Sequence, residues 1–190
     1  MTMTSLEQIP AERVRNLLDR QEILDCLHRC ARGMDRHDAE LIASAYHPDG
    51  WDDHGMFRGS ASEFVDYVNG TATDEGVHAA QFRTHQHLLS NHVVEINGDD
   101  AHSETHYLFI GHQRHVDSIL LAAGRYIDHL QRRDGQWRIA VRRVVMECMT
   151  ELEHPIDMTS GPLLAFTRGT WDHTDVSWER PLTVRSSPPT

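Results

Sequence analysis

The chain has 190 residues, which is enough for one domain with a substantial core, and no linker rich in Gly, Ser or Pro divides it. Its formal net charge of −11 at pH 7 opposes contact with nucleic-acid backbones and anionic lipids, and no block of Lys or Arg offsets that charge. The sequence shows neither a signal segment nor an apolar run of membrane-spanning length. We therefore expect a cytoplasmic protein of one domain, with no nucleic acid and no membrane among its partners.

A first helix is predicted over residues 10–34, where good helix formers surround apolar residues at spacings of three and four. Ile23, Leu27 and Ala31 belong to this repeat and would form one buried stripe. Asp35 follows Ala31 by four residues, so its carboxylate lies at the edge of the stripe. A buried carboxylate is costly unless a partner compensates it, which makes Asp35 a candidate functional residue. Its plainer interpretation is a hydrogen bond to the adjacent turn.

The following segment predicts two more helices and a hairpin. Asp38 is a suitable N-cap for AELIASAY, a short helix that HPDG is expected to end as a turn. The run WDDHGMFRG is typical of a short strand or hairpin. Ser60 and Glu63 have the spacing of a capping box, which predicts a third helix in SASEFVDYV. Residues 69–81 are polar and predict a loop.

The second half of the chain is rich in long β runs: THQHLLSNHVVEI, AHSETHYLFIGHQ, SILLAAGRYIDHLQR and QWRIAVRRVVMECMT. Consecutive strands after a set of helices predict an α+β domain with an antiparallel meander. We expect a cone-shaped α+β barrel over residues 1–150, with three N-terminal helices packed on a strongly curved, mainly antiparallel sheet. Residues 151–190, rich in Pro, Ser and Thr, predict an irregular C-terminal tail packed on the same domain.

The fifteen histidines raise the question of a metal site, above all in THQHLLSNH, HSETH and GHQRH. Strand geometry would bring His85 and His87 to one face. The sequence has no HExxH motif and no CxxC pair, so we expect hydrogen-bonded or solvated histidines and no metal.

The three cysteines, Cys26, Cys30 and Cys148, are an odd number, and the first two lie one helical turn apart. This pattern argues against a disulfide framework. We expect reduced, buried and inert thiols.

A cone lined by inward-facing side chains is suited to a small-molecule pocket, so inward polar residues are the candidates for chemistry. Asp35 would enter from the helices, and His87 from the start of the first long strand. Arg142 lies among Ile, Val and Met in the last strand, where a buried cation calls for a functional or structural explanation.

Two points about the sheet stay open from the residues alone. A shift in strand register would put His85 or His92 in the place of His87. Arg142 and Arg143 point to opposite faces of their strand, so only one of them can enter the pocket.

Four stretches, in their order and separation, resemble the SnoaL-like family of the nuclear-transport-factor-2-like superfamily: RQEILDCLHRCARGMDRHDAELIASAYHPDG, FRGSASEFVDYV, THQHLLSN and GRYIDHLQRRDGQWRIAVRRVV. The resemblance covers about residues 10–150. Dehydratases and dehydrochlorinases of this kind are cone-shaped α+β barrels that perform eliminations with an Asp/His pair and no cofactor. The superfamily also contains transport adaptors, polyketide cyclases and subunits without catalysis, so the fold alone does not imply activity.

The resemblance implies catalytic roles for Asp35, His87 and Arg142. These residues stand at the family's aspartate after the first helix, at its histidine before LLSN, and at an arginine five places after Trp137. An imidazole can take a proton from carbon when a carboxylate on its other nitrogen stabilises the resulting cation. That partnership would explain a carboxylate at the edge of a buried stripe.

One departure from the family concerns the residue five places before the aspartate, where the related enzymes have Tyr or Lys and this chain has Cys30. Assistance to the leaving group from that position is therefore in doubt. Tyr46 and Trp51 are candidate substitutes, although a core aromatic explains each of them more simply. We expect Cys30, Tyr46, Trp51 and Met146 to bind substrate.

The leading functional hypothesis is a cofactor-independent lyase of the dehydratase type. It would take a carbon-bound proton from a small apolar, cyclic or aromatic substrate and expel a leaving group. The alternatives are an isomerase or cyclase with the same base, or a non-catalytic module that binds a hydrophobic ligand. The sheet face away from the helices mixes apolar and polar residues, which predicts a homo-oligomer, a trimer slightly ahead of a dimer.

Overall fold

A computed structural model of the protein describes residues 9–70, 81–157 and 160–183. In chain order its helices and strands are α1 (Ala11–Arg36), α2 (Ala39–Ala45), β1 (Tyr46–Asp53), β2 (Arg58–Ser60), α3 (Ala61–Asn69), β3 (Phe82–Asn97), β4 (Asp100–Gln113), β5 (Ser118–Arg133) and β6 (Gln136–Glu153). The loop predicted over residues 69–81 begins at the end of α3, and 71–80 lie outside the described residues.

The strands form one curved sheet in the order β2-β1-β6-β5-β4-β3. Strands β3 to β6 are antiparallel neighbours, which confirms the predicted meander. β1 joins the far side of β6 in parallel, and β2 pairs with β1 in the predicted hairpin. The three helices pack against this sheet, which confirms the α+β cone.

Helix α1 runs two residues past its predicted end and buries the expected stripe, including Ile23, Leu27 and Ala31. It also buries Asp19, whose Oδ1 accepts hydrogen bonds from Trp137 Nε1 at 3.0 Å and from Arg132 Nη1 at 2.6 Å. These bonds compensate the carboxylate and fix the helix across the sheet.

The turn predicted at HPDG is wrong, because these residues lie within β1. The stretch is nevertheless irregular: the pairing of β1 with β6 shifts register between Tyr46 and Trp51. Pro48 falls within this irregularity, where a missing N–H costs no regular ladder hydrogen bond. A side chain on Gly50 would meet the carbonyl oxygens of His47 and Ile139, so the close passage of β1 over β6 requires glycine.

The predicted caps of the two shorter helices are confirmed. The side chain of Asp38 accepts from Leu41 N at 2.9 Å at the start of α2. At α3, Ser60 and Glu63 form both bonds of the capping box, with the backbone N–H of Ser60 donating to Glu63 Oε2 at 2.7 Å. Each cap satisfies backbone donors that a helix start leaves without partners.

Side chains alternate along the strands between an inner face, covered by the helices, and an outer face. Arg142 and Asp52 are fully buried on the inner face, at paired positions of β6 and β1. The neighbours Val141 and Trp51 lie on the outer face and are 43% and 49% exposed. The alternation therefore decides which residues can line the interior.

Beyond Glu153, the described part of the C-terminal region contains two short 3₁₀ helices, Gly161–Ala165 and Val176–Trp178. This region packs on the end of α1. The ring of Trp171 stacks on His37 with centroids 3.9 Å apart, and Asp175 lies 3.8 Å from Arg36. None of the helices in the described ranges is long and apolar enough to cross a membrane.

Candidate active site

The structure brings two of the predicted site residues together, Asp35 in the last turn of α1 and His87 in β3. His87 Nδ1 lies 2.7 Å from Asp35 Oδ1. The backbone N–H of His87 also donates to both carboxylate oxygens, at 3.0 Å each. The side chain of Asp35 thus bonds to the sheet and not to its own turn, where Asp38 is the capping residue.

The position of β3 explains the backbone contact. In the sheet of the described residues β3 is an edge strand, with β4 on one side only. A backbone donor on the edge of a sheet needs a partner when it is covered, and Asp35 provides one for His87. The carboxylate is therefore fixed both by the strand and by the imidazole.

The opposite ring nitrogen of His87 is open. Nε2 makes no hydrogen bond within the described residues and is not fully enclosed. When Nδ1 carries the proton shared with Asp35, the lone pair of neutral imidazole is on Nε2. The pair therefore has the arrangement of a base whose orientation is held by a carboxylate.

A groove of about 440 Å³ lies beside this pair, between α1 and β3. Its lining combines apolar and cationic side chains with the pair itself: His28, Ala31, Arg32, Asp35, Arg36, His87 and Leu89. A small molecule in the groove can thus contact Asp35 and His87.

A larger depression of about 690 Å³ lies at the other end of α1. Among its lining residues, Asp19 and Arg132 are 2.6 Å apart and pair with each other. Its buried carboxylate is thus already paired, and the groove at His87 is the better candidate site.

The register places His85 and His87 on the same face, as predicted, but their environments differ. His85 Nε2 lies 3.1 Å from the carbonyl oxygen of Met34, and burial lowers the pKa of the ring to about 4. His92, the second alternative, bonds through Nδ1 to Thr105 Oγ1 at 2.8 Å. Both rings have structural partners, so the geometry favours His87 as the base.

Asp35, His85 and His87 form a cluster that the sequence analysis did not expect to hold metal. Their ligand atoms all lie within 4.8 Å of one another. In this structure His87 Nδ1 is in hydrogen-bond contact with Asp35, and His85 Nε2 with the Met34 carbonyl oxygen.

Arg142 contacts neither Asp35 nor His87 through any bond in the described residues. It is fully buried, and its Nε and Nη2 donate to the two oxygens of Asp128 at 2.7 and 2.9 Å. Arg142 thus forms a buried ion pair with Asp128 and does not join the Asp35–His87 pair. Arg143 is solvent-exposed, so only one of the two arginines faces inward, as expected.

Asp128 was missed by the sequence analysis, although a signal existed. It lies between Tyr126 and Leu130 at the two-residue spacing of one strand face, and both neighbours are fully buried. A carboxylate on the buried face of a strand needs a buried partner. An arginine that also faces inward can provide it through charged hydrogen bonds.

Tyr46 belongs to a second hydrogen-bonded group, together with Asp52 and His54, and this grouping was not predicted from the sequence. Its hydroxyl donates to Asp52 Oδ2 at 2.5 Å, and His54 Nδ1 lies 2.5 Å from Asp52 Oδ1. Burial, helped by the charge of Asp52, holds the pKa of Tyr46 well above its usual range. The phenol therefore stays protonated and acts as a donor. The spacing of Asp52 and His54 on one strand face was the available signal.

The remaining predicted substrate-binding residues do not line the groove at His87. Cys30 is buried against Arg142, with Nη1 3.6 Å from its sulfur, and burial raises the pKa of the thiol to about 11. Trp51 points outward because Asp52 takes the inward phase of β1, so its predicted place in the pocket is wrong. Met146 is half-exposed, and its sulfur accepts from the Tyr107 hydroxyl at 3.6 Å.

The comparison with protein families gives one match. The model of the SnoaL-like domain matches residues 15–143, about two thirds of the chain. The chain belongs to the SnoaL-like domain family. Both residues of the Asp35–His87 pair fall inside this SnoaL-like domain, whereas Trp171 and the rest of the C-terminal region lie outside it.

Solved structures share the fold of this SnoaL-like domain at low sequence identity. LinA is 22% identical, with a TM-score of 0.67 over 74% of this chain and 93% of its own. The LinA-type3 hexachlorocyclohexane dehydrochlorinase from Novosphingobium barchaimii LL02 is 22% identical, with a TM-score of 0.65 over 74% and 94%. A scytalone dehydratase-like protein from Novosphingobium aromaticivorans is 19% identical, with a TM-score of 0.62 over 75% and 95%. A comparison with curated protein sequences returns no significant match.

The buried pair of Arg142 and Asp128 leads to a stability prediction. Arg142→Met should lower the free energy of unfolding by about 3–5 kcal/mol, because it leaves the charge of Asp128 buried without a partner. Arg142→Met combined with Asp128→Leu should recover much of that loss. Urea denaturation followed by circular dichroism measures both values. The matched control is Arg143→Met, at the exposed neighbouring position, and an equal loss in the control contradicts the prediction.

Proposed function

We propose that this chain is a cofactor-independent lyase of the dehydratase type, with His87 as the base and Asp35 as its supporting carboxylate. The observation that carries the proposal is the 2.7 Å contact between His87 Nδ1 and Asp35, together with the open Nε2. The groove beside the pair supports access by a small molecule.

The proposed chemistry starts with transfer of a carbon-bound proton to His87 Nε2. The electron pair of the C–H bond forms the new double bond as the leaving group departs with its own bonding pair. Asp35 stabilises the imidazolium and holds the ring in the required tautomer, which is how a carboxylate assists an imidazole base. The proposed role of Arg142 in this chemistry is indirect. Its ion pair with Asp128 holds it on the inner face of the sheet.

The proposed substrate is small, apolar and cyclic or aromatic. Ala31 and Leu89 provide apolar contact in the groove, and Phe109 lies 5.1 Å from the His87 ring. The names of the structural relatives, a hexachlorocyclohexane dehydrochlorinase and a scytalone dehydratase-like protein, agree with elimination from ring compounds. Arg32 and Arg36 at the groove suit a leaving group that departs with negative charge.

An isomerase or cyclase would use the same base and differ only in the fate of the carbanion. A non-catalytic binding module is the alternative from another class. A hydrophobic-ligand module does not require a carboxylate held on an imidazole, so the Asp35–His87 contact favours the enzyme.

We also propose that the protein is a cytoplasmic homo-oligomer, a trimer ahead of a dimer, formed through the outer face of the sheet. Four apolar side chains, Leu88, Val93, Val141 and Trp51, are 43–64% exposed on the strands. Exposed apolar residues on a sheet face are suited to contact with a second copy.

The first functional prediction concerns the pair itself. His87→Ala and Asp35→Asn should each lower kcat by about a hundredfold to ten-thousandfold, and the double variant should lose little more, because the two act as one unit. Hexachlorocyclohexane, scytalone and related cyclic β-hydroxyketones are the first substrates to assay, by mass spectrometry of the eliminated product. His129→Ala is the control, because His129 forms a pair with Asp100 at 2.8 Å on the outer face. Unchanged turnover in folded His87→Ala protein would remove the mechanism.

A second prediction concerns metal at the cluster of Asp35, His85 and His87. Base-driven elimination needs no ion, so dialysis against a chelator should leave turnover unchanged. Elemental analysis of the purified protein should find no stoichiometric transition metal. One zinc or iron per chain that is lost together with activity would overturn this interpretation of the cluster.

A third prediction concerns assembly. Light scattering coupled to size exclusion should give about three times, or twice, the chain mass of 21.8 kDa. Val93→Glu on the outer face should weaken the assembly, because it introduces a charge at the proposed contact. A monomeric mass at micromolar concentration contradicts the proposal.

A further inference from the structure

One cation at the groove has only neutral partners. Arg32 lines the groove together with Asp35 and His87. Its Nη2 donates to the hydroxyl of Ser177 at 3.2 Å, and its guanidinium lies 5.4 Å from the centre of the Trp178 ring. Arg32 forms no ion pair with a carboxylate in the part of the chain that the structure describes. Its charge is therefore available to a ligand in the groove.

The other charged groups at the groove already have partners. Arg36 Nη1 donates to the backbone oxygen of Asp35 at 3.2 Å, and Arg36 Nε lies 3.8 Å from Asp175 Oδ1. The carboxylate of Asp35 accepts from the backbone N–H of His87 and is in contact with its ring. Of the two arginines that line the groove, Arg32 is thus the one whose charge is unmatched within the described residues.

The C-terminal region fixes this guanidinium at the groove. Asp175 is 4% exposed, and its two oxygens accept from the backbone N–H groups of Thr170 and Ser177, at 2.9 Å each. These bonds hold the turn that presents Ser177 and Trp178 to Arg32. Both contact residues lie outside the part of the chain that matches the SnoaL-like domain. The position of Arg32 therefore depends on a region that this domain does not include.

We propose that Arg32 binds a carboxylate of the substrate and so orients the substrate in the groove. The inference rests on the proposed function and narrows its substrate class to small ring compounds whose apolar ring bears one carboxylate. The ring contacts Ala31 and Leu89, which also line the groove, and the reacting C–H bond faces His87 Nε2. A contact remote from the reacting carbon uses binding energy to align that bond with the base.

The chemistry of the site favours a carboxylate over other anions. A guanidinium presents parallel N–H donors that match the two oxygens of a carboxylate. A phosphate monoester carries a charge of about −1.5 to −2 at pH 7 and needs a second cation. Arg36 does not supply one, because it already faces Asp175. A carboxylate has the single charge that Arg32 balances.

The test compares two probes of the same shape, benzoate and benzamide, by NMR titration of the full-length protein. Benzoate should bind wild type about fivefold to thirtyfold more tightly, an effect between those of an exposed ion pair and of a charged hydrogen bond. Arg32→Gln should remove this preference and leave the binding of benzamide unchanged. Arg32→Lys keeps the charge without the parallel donors and should retain part of the preference.

The matched control is Arg13→Gln, which makes the same charge change near the other end of α1 and should bind both probes as wild type does. Added salt should weaken the binding of benzoate to wild type but not to Arg32→Gln, an effect that a purely structural role does not produce. Trp178→Leu should weaken benzoate binding by about twofold to fivefold, because it removes the ring beneath the guanidinium. Circular dichroism verifies that each variant is folded.

Three outcomes overturn the proposal. Benzoate binds wild type no more tightly than benzamide does, the preference persists in folded Arg32→Gln, or Arg13→Gln removes the preference as well.

The probes also separate this inference from the proposed function, because they have no leaving group and their binding does not depend on turnover. His87→Ala should lose turnover and keep the preference for benzoate. If the preference persists in Arg32→Gln while wild type catalyses elimination with His87, this inference fails and the proposed function stands. If the preference depends on Arg32 but His87→Ala turns over normally, the proposed base fails and the carboxylate site stands.

Discussion

The buried ion pair between Arg142 and Asp128 is the interaction on which the arrangement of the inner face depends. Arg142 is completely enclosed, and its guanidinium makes two parallel hydrogen bonds to Asp128 and lies 4.2 Å from the centre of the Tyr126 ring. Taking such a group out of water costs several kcal/mol, so the geometry of its partners has to be good. Asp128 and Arg142 lie opposite each other on β5 and β6, so the pair links these two strands. The groups near the guanidinium, which include Cys30 and Tyr46, tolerate a charge.

Two carboxylates that remain in the interior are compensated by histidine rather than arginine, and this difference has chemical consequences. Arginine keeps its proton at any ordinary pH, whereas an imidazole can gain or release one. Asp35 combines His87 with a backbone donor of an edge strand, and Asp52 combines His54 with the Tyr46 hydroxyl. Each of these two carboxylates is therefore in hydrogen-bond contact with an imidazole and accepts a bond from one further group of the fold.

The end of α1 beside Asp35 is held by a region outside the SnoaL-like domain. His37 adopts a left-handed conformation with φ 51°, which is unfavourable for a residue with a side chain. Its ring is stacked on Trp171, and burial there lowers the pKa of His37 to about 4, so the ring is neutral. Arg36 faces Asp175 at the same end. These contacts position the turn from which Asp35 reaches His87. Trp171 and Asp175, which make them, lie outside residues 15–143, the range that matches the SnoaL-like domain.

The sequence alone determined the elements whose cause is local. Apolar spacing predicts α1, the Asp38 and Ser60 caps predict α2 and α3, and long alternating runs predict the meander, since each depends on residues a few positions apart. The family resemblance added an expected catalytic role to Asp35 and His87, which the residue pattern had already singled out. Only the tertiary structure decided the partners: Asp35 and His87 are 52 residues apart, Arg142 pairs with Asp128 rather than with Asp35, and Trp51 faces outward. The reason is physical, because strand register and the crossing of α1 over the sheet depend on packing of the whole chain, and one residue of register moves a side chain to the opposite face.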